Sequence, residues 1–221
     1  MINHGYLAVD FFFLLSGFVI AYAYDDRWGR MGQVEFYKRR LIRLQPMVVL
    51  GSVIGAALFY VQAGAFFPKI AETPVWQMLF VMLLGFTLLP LPTAFDIRGW
   101  DEMHPLNGPA WSLFFEYIAN IGYAVVFRKL SRRVLGVLVV LAASMLVDIA
   151  LRGERRDLIG GWSLDPAGLH IGFARVAYPF LAGMLLMRIG KRIRTRHGFA
   201  ISSLLLIAAL ALPRMGATPH H

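Results

Sequence analysis

The chain alternates long apolar stretches with short, strongly basic connectors. Residues 46–66, 77–95 and 198–213 run for 21, 19 and 16 positions without a charged side chain. Residues 110–127, 134–151 and 167–187 each carry one charge, Glu116, Asp148 and Arg175 in turn, the last run also holding His170. Residues 5–24 hold Asp10. A helix needs roughly 17–25 mainly apolar residues to cross about 30 Å of hydrocarbon at ~1.5 Å per residue. The pattern therefore predicts about seven membrane segments. Each is apolar on all sides, which suits lipid better than the one-sided burial of a surface helix. The expected fold class is all-α, a polytopic integral membrane helix bundle.

The connectors orient these segments. Arg27, Arg30, Lys38, Arg39, Arg40 and Arg43 fall between the first two apolar runs. Arg128, Lys129, Arg132 and Arg133 form a second cluster, and Arg188, Lys191, Arg192, Arg194 and Arg196 a third. The positive-inside rule puts such connectors in the cytoplasm, against anionic headgroups. Three apolar runs separate the first cluster from the second, so three full crossings would put the second outside. One run is thus expected to re-enter, and 77–95 is the candidate, because Pro90 and Pro92 interrupt its end. Irregular backbone at that depth survives only where protein buries it or a wet cavity adjoins it, which points to a cavity near residues 85–116.

Composition fits this picture. The 221 residues are 58% hydrophobic and 16% charged, against about 45–50% and 25% in soluble domains. Such hydrophobicity excludes a disordered chain. The absence of cysteine excludes a disulfide scaffold, a thiol nucleophile and a cysteine metal site. The net charge of +9 would suggest a nucleic-acid partner in a soluble protein. Here 15 of the 22 basic residues lie in three connectors, so the charge reports orientation, the expected partner is the lipid bilayer, and no nucleic acid is implied. No histidine pair has metal-ligand spacing, and no serine elbow or glycine-rich phosphate loop occurs.

Ionisable groups inside a bilayer cost about 2.5–3.5 kcal/mol each on insertion scales, so the few present need a reason. Asp148 is close enough to a helix end to reach the interface. Arg175 lies deeper, either as ion-pair partner of a carboxylate or as a substrate contact. Asp10 requires a partner of its own. Ser16 and Gly17 on the same segment suit helix packing. Arg40 and Arg43 are three apart and share a helical face, where two guanidiniums form a multidentate phosphate site. Pro46 is placed at the start of the next membrane helix, where a missing N–H costs nothing. Ser112 and Glu116 are four apart, and Asn120 continues their stripe. A polar stripe in an apolar helix faces protein or water, and its carboxylate can accept a proton or orient a proton acceptor. It can equally be a hydrogen-bonded packing contact, and Trp111 an interfacial anchor.

Three motifs together resemble the acyltransferase-3 family of integral membrane O-acyltransferases of bacterial cell-surface polysaccharide, lipopolysaccharide or peptidoglycan. Gly5-Tyr6-Leu7-Ala8-Val9-Asp10-Phe11-Phe12-Phe13-Leu14-Leu15-Ser16-Gly17-Phe18 is similar to its signature second helix. Arg40-Leu41-Ile42-Arg43-Leu44-Gln45-Pro46 is similar to its Arg-x-x-Arg motif, with Gln45 where an aromatic is usual. Asn107-Gly108-Pro109-Ala110-Trp111-Ser112-Leu113-Phe114-Phe115-Glu116 is similar to its Trp-Ser-Leu…Glu helix. A weaker likeness covers Arg175 and Phe180-Leu181-Ala182-Gly183-Met184.

The resemblance implies a multi-pass protein of the bacterial inner membrane, with cytoplasmic acyl-CoA (acetyl-CoA) as donor and a glycan hydroxyl as acceptor. No permanently bound cofactor or metal is implied. Arg40 and Arg43 would bind the donor, Glu116 and Asp10 would be catalytic, and Asn107, Trp111, Ser112 and Arg175 would contact substrate. In the family, a helix carrying the histidine base precedes the signature helix. Met1 stands almost on that signature helix, so residues 1–221 are expected to form a single partial domain, with its C-terminal end also early and the family histidine absent. His4 sits at the mouth of the wrong helix to replace it. An inactive truncated remnant and a transporter with the stripe as its path stay open; two related halves with paired broken helices would mark a transporter, and none are found.

Overall fold

The computed structural model describes residues 5–152, 158–190 and 197–211, save the side chains of Phe199 and Leu210. Lys191, Arg192, Arg194 and Arg196 of the third basic cluster, and His4, lie outside the described residues. Among the described residues there are eight α-helices and no strand: α1 (Leu7–Tyr24), α2 (Gln33–Ala57), α3 (Pro68–Glu72), α4 (Val75–Gly85), α5 (Ala110–Val125), α6 (Arg132–Arg152), α7 (Pro166–Ile189) and α8 (Gly198–Ala211). The chain is an all-α membrane bundle. Four helices, α1, α2, α6 and α7, are long and apolar enough to cross a bilayer. The expectation of about seven membrane segments thus resolves into these four and the shorter α4, α5 and α8.

The run 77–95 is the one that falls furthest short. Its helix, α4, has 11 residues, a rise of ~16 Å, about half the hydrocarbon thickness. It stops at Gly85, before either proline. The Thr87 hydroxyl donates to the Leu84 carbonyl at 2.6 Å and accepts from Leu89 N–H at 3.2 Å. Leu88 then takes φ 59°, turning the chain back. The irregular loop to residue 109 is held by its own side chains. Asp96 accepts from the backbone N–H groups of Arg98, Gly99 and Asp101, and Arg98 reaches Glu102, the Pro105 carbonyl and Gln62. Backbone satisfied in this way can sit inside the bundle.

Helix α2 corrects two expectations. It begins at Gln33, so Lys38, Arg39, Arg40 and Arg43 are helical, and only Arg27 and Arg30 remain in the connector. Pro46 lies inside the helix and does not start it. The ring removes the bond that would reach the Ile42 carbonyl. Gln45 beside it donates to the Phe86 carbonyl and accepts from Tyr117 Oη, joining α2 to the end of α4 and the middle of α5.

The tightest pairing is α1 against α7. A Cβ on Gly17 would stand 2.0 Å from the Phe180 carbonyl oxygen, and one on Gly183 would stand 2.0 Å from that of Leu14. Glycines facing backbone from both sides permit the close approach typical of membrane helices. Asp165 caps α7, its Oδ1 accepting from Ala167 and Gly168 N–H at 2.9 Å each, and Pro166 occupies the first turn, where no N–H is lost. Phe13, Phe36, Phe115, Tyr123 and Phe180 fill the core between α1, α2, α5 and α7. The outer face of α6 leaves Val137, Val140, Leu141 and Val147 exposed. Asp148 pairs on the same helix with Arg152 at 2.6 Å, both exposed.

Candidate functional site

Arg40 and Arg43, placed on one face by their register, line a cavity of about 70 Å³ with Ser16 and Val19 of α1, Leu44 of α2 and Glu116 of α5; Phe12 and Leu15 complete it. Glu116 Oε1 accepts from Ser16 Oγ at 2.8 Å and from Arg40 Nη2 at 3.0 Å. Ser16, expected only to pack, therefore holds the carboxylate. Arg40 and Glu116 are both 2% exposed. Glu116 Oε2 and Arg40 Nε have no hydrogen-bond partner. Arg43 is exposed and forms no ion pair among the described residues. Two guanidiniums thus face one carboxylate, an excess of positive charge that suits an anion.

A larger cavity, about 450 Å³, shares Phe12 with this one. Its walls are Ala8 and Val9 of α1, Met47, Leu50, Gly51 and Ile54 of α2, and Asn107, Pro109, Ala110, Ser112 and Leu113 around the start of α5. It is mostly apolar, with Asn107 and Ser112 as polar groups. Asn107 Nδ2 donates to the Val48 carbonyl at 3.4 Å, and Ser112 Oγ donates to the Pro109 carbonyl at 2.9 Å. Gly51 allows this: a Cβ there would stand 2.4 Å from Asn107 Nδ2.

Asp10, Arg175 and Trp111 form a third group, outside both cavities. Arg175 Nε donates to Asp10 Oδ1 at 3.0 Å, Nη1 to the Gly160 carbonyl at 3.1 Å, and Nη2 to the Tyr6 carbonyl at 2.7 Å. Its guanidinium stands 5.0 Å from the Trp111 ring. With 1% exposure, Arg175 is engaged by protein on every side. The structure therefore brings the eight expected residues together in three sets: Arg40, Arg43 and Glu116; Asn107 and Ser112; Asp10, Arg175 and Trp111.

The basic connectors meet at the far end of the bundle. Asp25 accepts from Arg188 Nε at 2.7 Å and from Tyr123 Oη at 2.8 Å. Arg188 also donates to the carbonyls of Phe127, Arg128 and Leu130, so it caps the chain leaving α5 and does more than label a membrane side.

Two residues escaped the sequence reading as site candidates. Asn120, placed on the polar stripe only, is 1% exposed, and neither side-chain polar atom has a partner. His104 is 3% exposed with Nε2 unpartnered, and burial lowers its pKa to about 4. Asn107 N–H donates to its carbonyl at 3.0 Å, tying the histidine to the larger cavity's wall. The signal for His104 was its place among apolar residues at the mouth of the Trp-Ser-Leu helix.

The profile of the acyltransferase-3 family, described as an acyltransferase domain, matches residues 1–221. "Protein 2 in picA locus" of Rhizobium radiobacter is 36% identical over 130 residues, 54% of this chain and 64% of its own length. "Acyltransferase MdmB" of Streptomyces mycarofaciens is 30% identical over 125 residues, 56% of this chain and 29% of its own. The chain thus spans less than two thirds of either relative. No solved structure matches the chain at a significant level.

Proposed function

The chain belongs to the acyltransferase-3 family, and we propose that it is a bacterial inner-membrane O-acyltransferase, moving an acetyl group from acyl-CoA to a hydroxyl of a cell-surface or exported glycan. The observation that carries this reading is the cavity in which Arg40, Arg43 and Glu116 converge between α1, α2 and α5. Its excess positive charge and exposed Arg43 suit the phosphates of a donor entering from the side that the basic connectors mark as cytoplasmic. The name of the Streptomyces relative, an acyltransferase, agrees with it.

In this reading Arg43 grips the donor and Arg40, fixed by Glu116, presents its free Nε to the thioester. The acyl–sulfur bond breaks as the acyl–oxygen bond forms. The hydroxyl proton passes to Glu116 Oε2, the unpartnered oxygen, and a proton returns to the departing thiolate of CoA. Asn107 and Ser112 are substrate contacts in the larger cavity, and Arg175, Asp10 and Trp111 brace the helices beside it. No resident cofactor is needed.

The test is transfer of labelled acetyl from acetyl-CoA to membrane glycan. Arg43→Ala should abolish transfer with insertion into the membrane unchanged; transfer that survives removes Arg43 from the donor site. Acetyl-CoA should also raise the melting temperature of the purified protein, which a transporter of other solutes would not show.

A further inference from the structure

We propose that Phe12 sets the length of the acyl chain that the inner cavity accepts. This rests on the acyl-CoA reading above and adds the determinant of chain length.

The two cavities lie end to end along the same three helices. On α1 the inner cavity takes the later residues and the outer takes Ala8 and Val9; on α2 the inner takes Arg40 and Arg43 and the outer takes Met47 through Ile54. Among the described residues, Phe12 alone lines both. Its ring lies 5.8 Å from that of Phe13 between centroids, and packs on the bundle core.

The sizes differ in a way that matters for substrate. The inner cavity of about 70 Å³ corresponds to roughly two waters at their liquid share of ~30 Å³ each. That holds the two carbons and one oxygen of an acetyl group beside the guanidiniums, and a longer tail meets the Phe12 ring. Beyond the ring lie about 450 Å³ of mostly apolar space. A chain able to pass Phe12 would bury its methylenes there, each worth roughly fourfold in affinity. An aromatic ring at this joint keeps that apolar gain from long donors.

The test measures binding of free CoA, acetyl-CoA, butyryl-CoA and hexanoyl-CoA to the purified full chain by thermal-shift titration. Wild type should bind acetyl-CoA tightest and hexanoyl-CoA no tighter than free CoA. Phe12→Ala should tighten hexanoyl-CoA relative to acetyl-CoA by at least about tenfold, with Phe12→Leu intermediate. Phe12→Leu retains an apolar side chain, so it decides the matter if the alanine variant does not fold. An unchanged donor series in the folded variants, or a wild type already indifferent to chain length, overturns the role of Phe12. A wild type that binds acetyl-CoA no better than a CoA-free control overturns the donor reading itself.

Discussion

Arg40 Nη2 stands 3.0 Å from Glu116 Oε1, joining α2 to α5 with both side chains 3% exposed. Both are withdrawn from bulk solvent, so each leans on the other, with Ser16 as a second donor to Glu116. Removing one partner of such a pair costs about 3–5 kcal/mol, whereas replacing both by apolar groups is often neutral. Arg40→Ala and Glu116→Ala should each lower thermal stability in detergent by that order. The pair Arg40→Met with Glu116→Leu should recover most of it. All three should lose acyl transfer, and recovery of transfer in the apolar pair would remove the ion pair from the chemistry.

Arg43 is the contrasting case. It lies three residues from Arg40 on the same cavity, but it is exposed and bound to no carboxylate among the described residues. Arg43→Ala should change stability by less than about 0.5 kcal/mol, the usual range for exposed positions. It should weaken acetyl-CoA binding tenfold or more, since charge-assisted contacts to phosphate are worth about 1.5–3 kcal/mol. Arg43→Lys should restore only part, because an ammonium lacks the planar fork. Titration calorimetry on the three proteins checks this.

What the sequence made legible follows from what each signal encodes. Apolar runs report a low-dielectric environment, and α1, α6 and α7 emerge close to the limits read from them. The i, i+3 spacing of Arg40 and Arg43 is geometry carried by one helix, and it places both on one cavity. The start of α2 is hidden in the sequence because Lys38–Arg43 look like a connector by charge alone. A helix lined with arginines differs from a loop only in its backbone, and Pro46 does not end it when neighbouring helices support the turn. The splitting of Asp10 and Glu116 into separate sets was not legible either. Which carboxylate meets which arginine depends on the rotation of α1 between α5 and α7. That rotation is fixed by Gly17 against Phe180 and Gly183 against Leu14, contacts 163 and 169 residues apart in sequence.

Asp10 and Arg175 make a prediction that separates bracing from chemistry. Arg175 gives its hydrogen bonds to Asp10 and to the carbonyls of Gly160 and Tyr6, so it ties the first turn of α1 to α7. Asp10→Ala should destabilise by about 3 kcal/mol by stranding the guanidinium. Asp10→Asn, which keeps an acceptor, should lose less. If the role is bracing, residual transfer in Asp10→Asn should track its stability as temperature is lowered. Full loss of transfer in a folded Asp10→Asn would instead place the carboxylate in the reaction.

His104 gives a pH dependence whose sign can be worked out. Burial alone lowers its pKa from 6.5 to about 4. Between those values the unfolded chain binds a proton that the folded chain does not. The contribution of the neutral imidazole is therefore complete above pH 6.5 and is lost as the pH falls towards 4. At pH 5 the loss amounts to ~2 kcal/mol relative to pH 7. Glu102 runs the other way, because burial raises its pKa against the lowering effect of Arg98, so its contribution improves as acid is added. A comparison with His104→Gln cancels that term, since Glu102 remains in both proteins. Thermal unfolding of the two proteins at pH 7 and pH 5 should show the wild type losing more stability on acidification, by ~2 kcal/mol. Equal losses would mean that the imidazole is protonated inside the fold, with its unpartnered Nε2 reached by an acceptor.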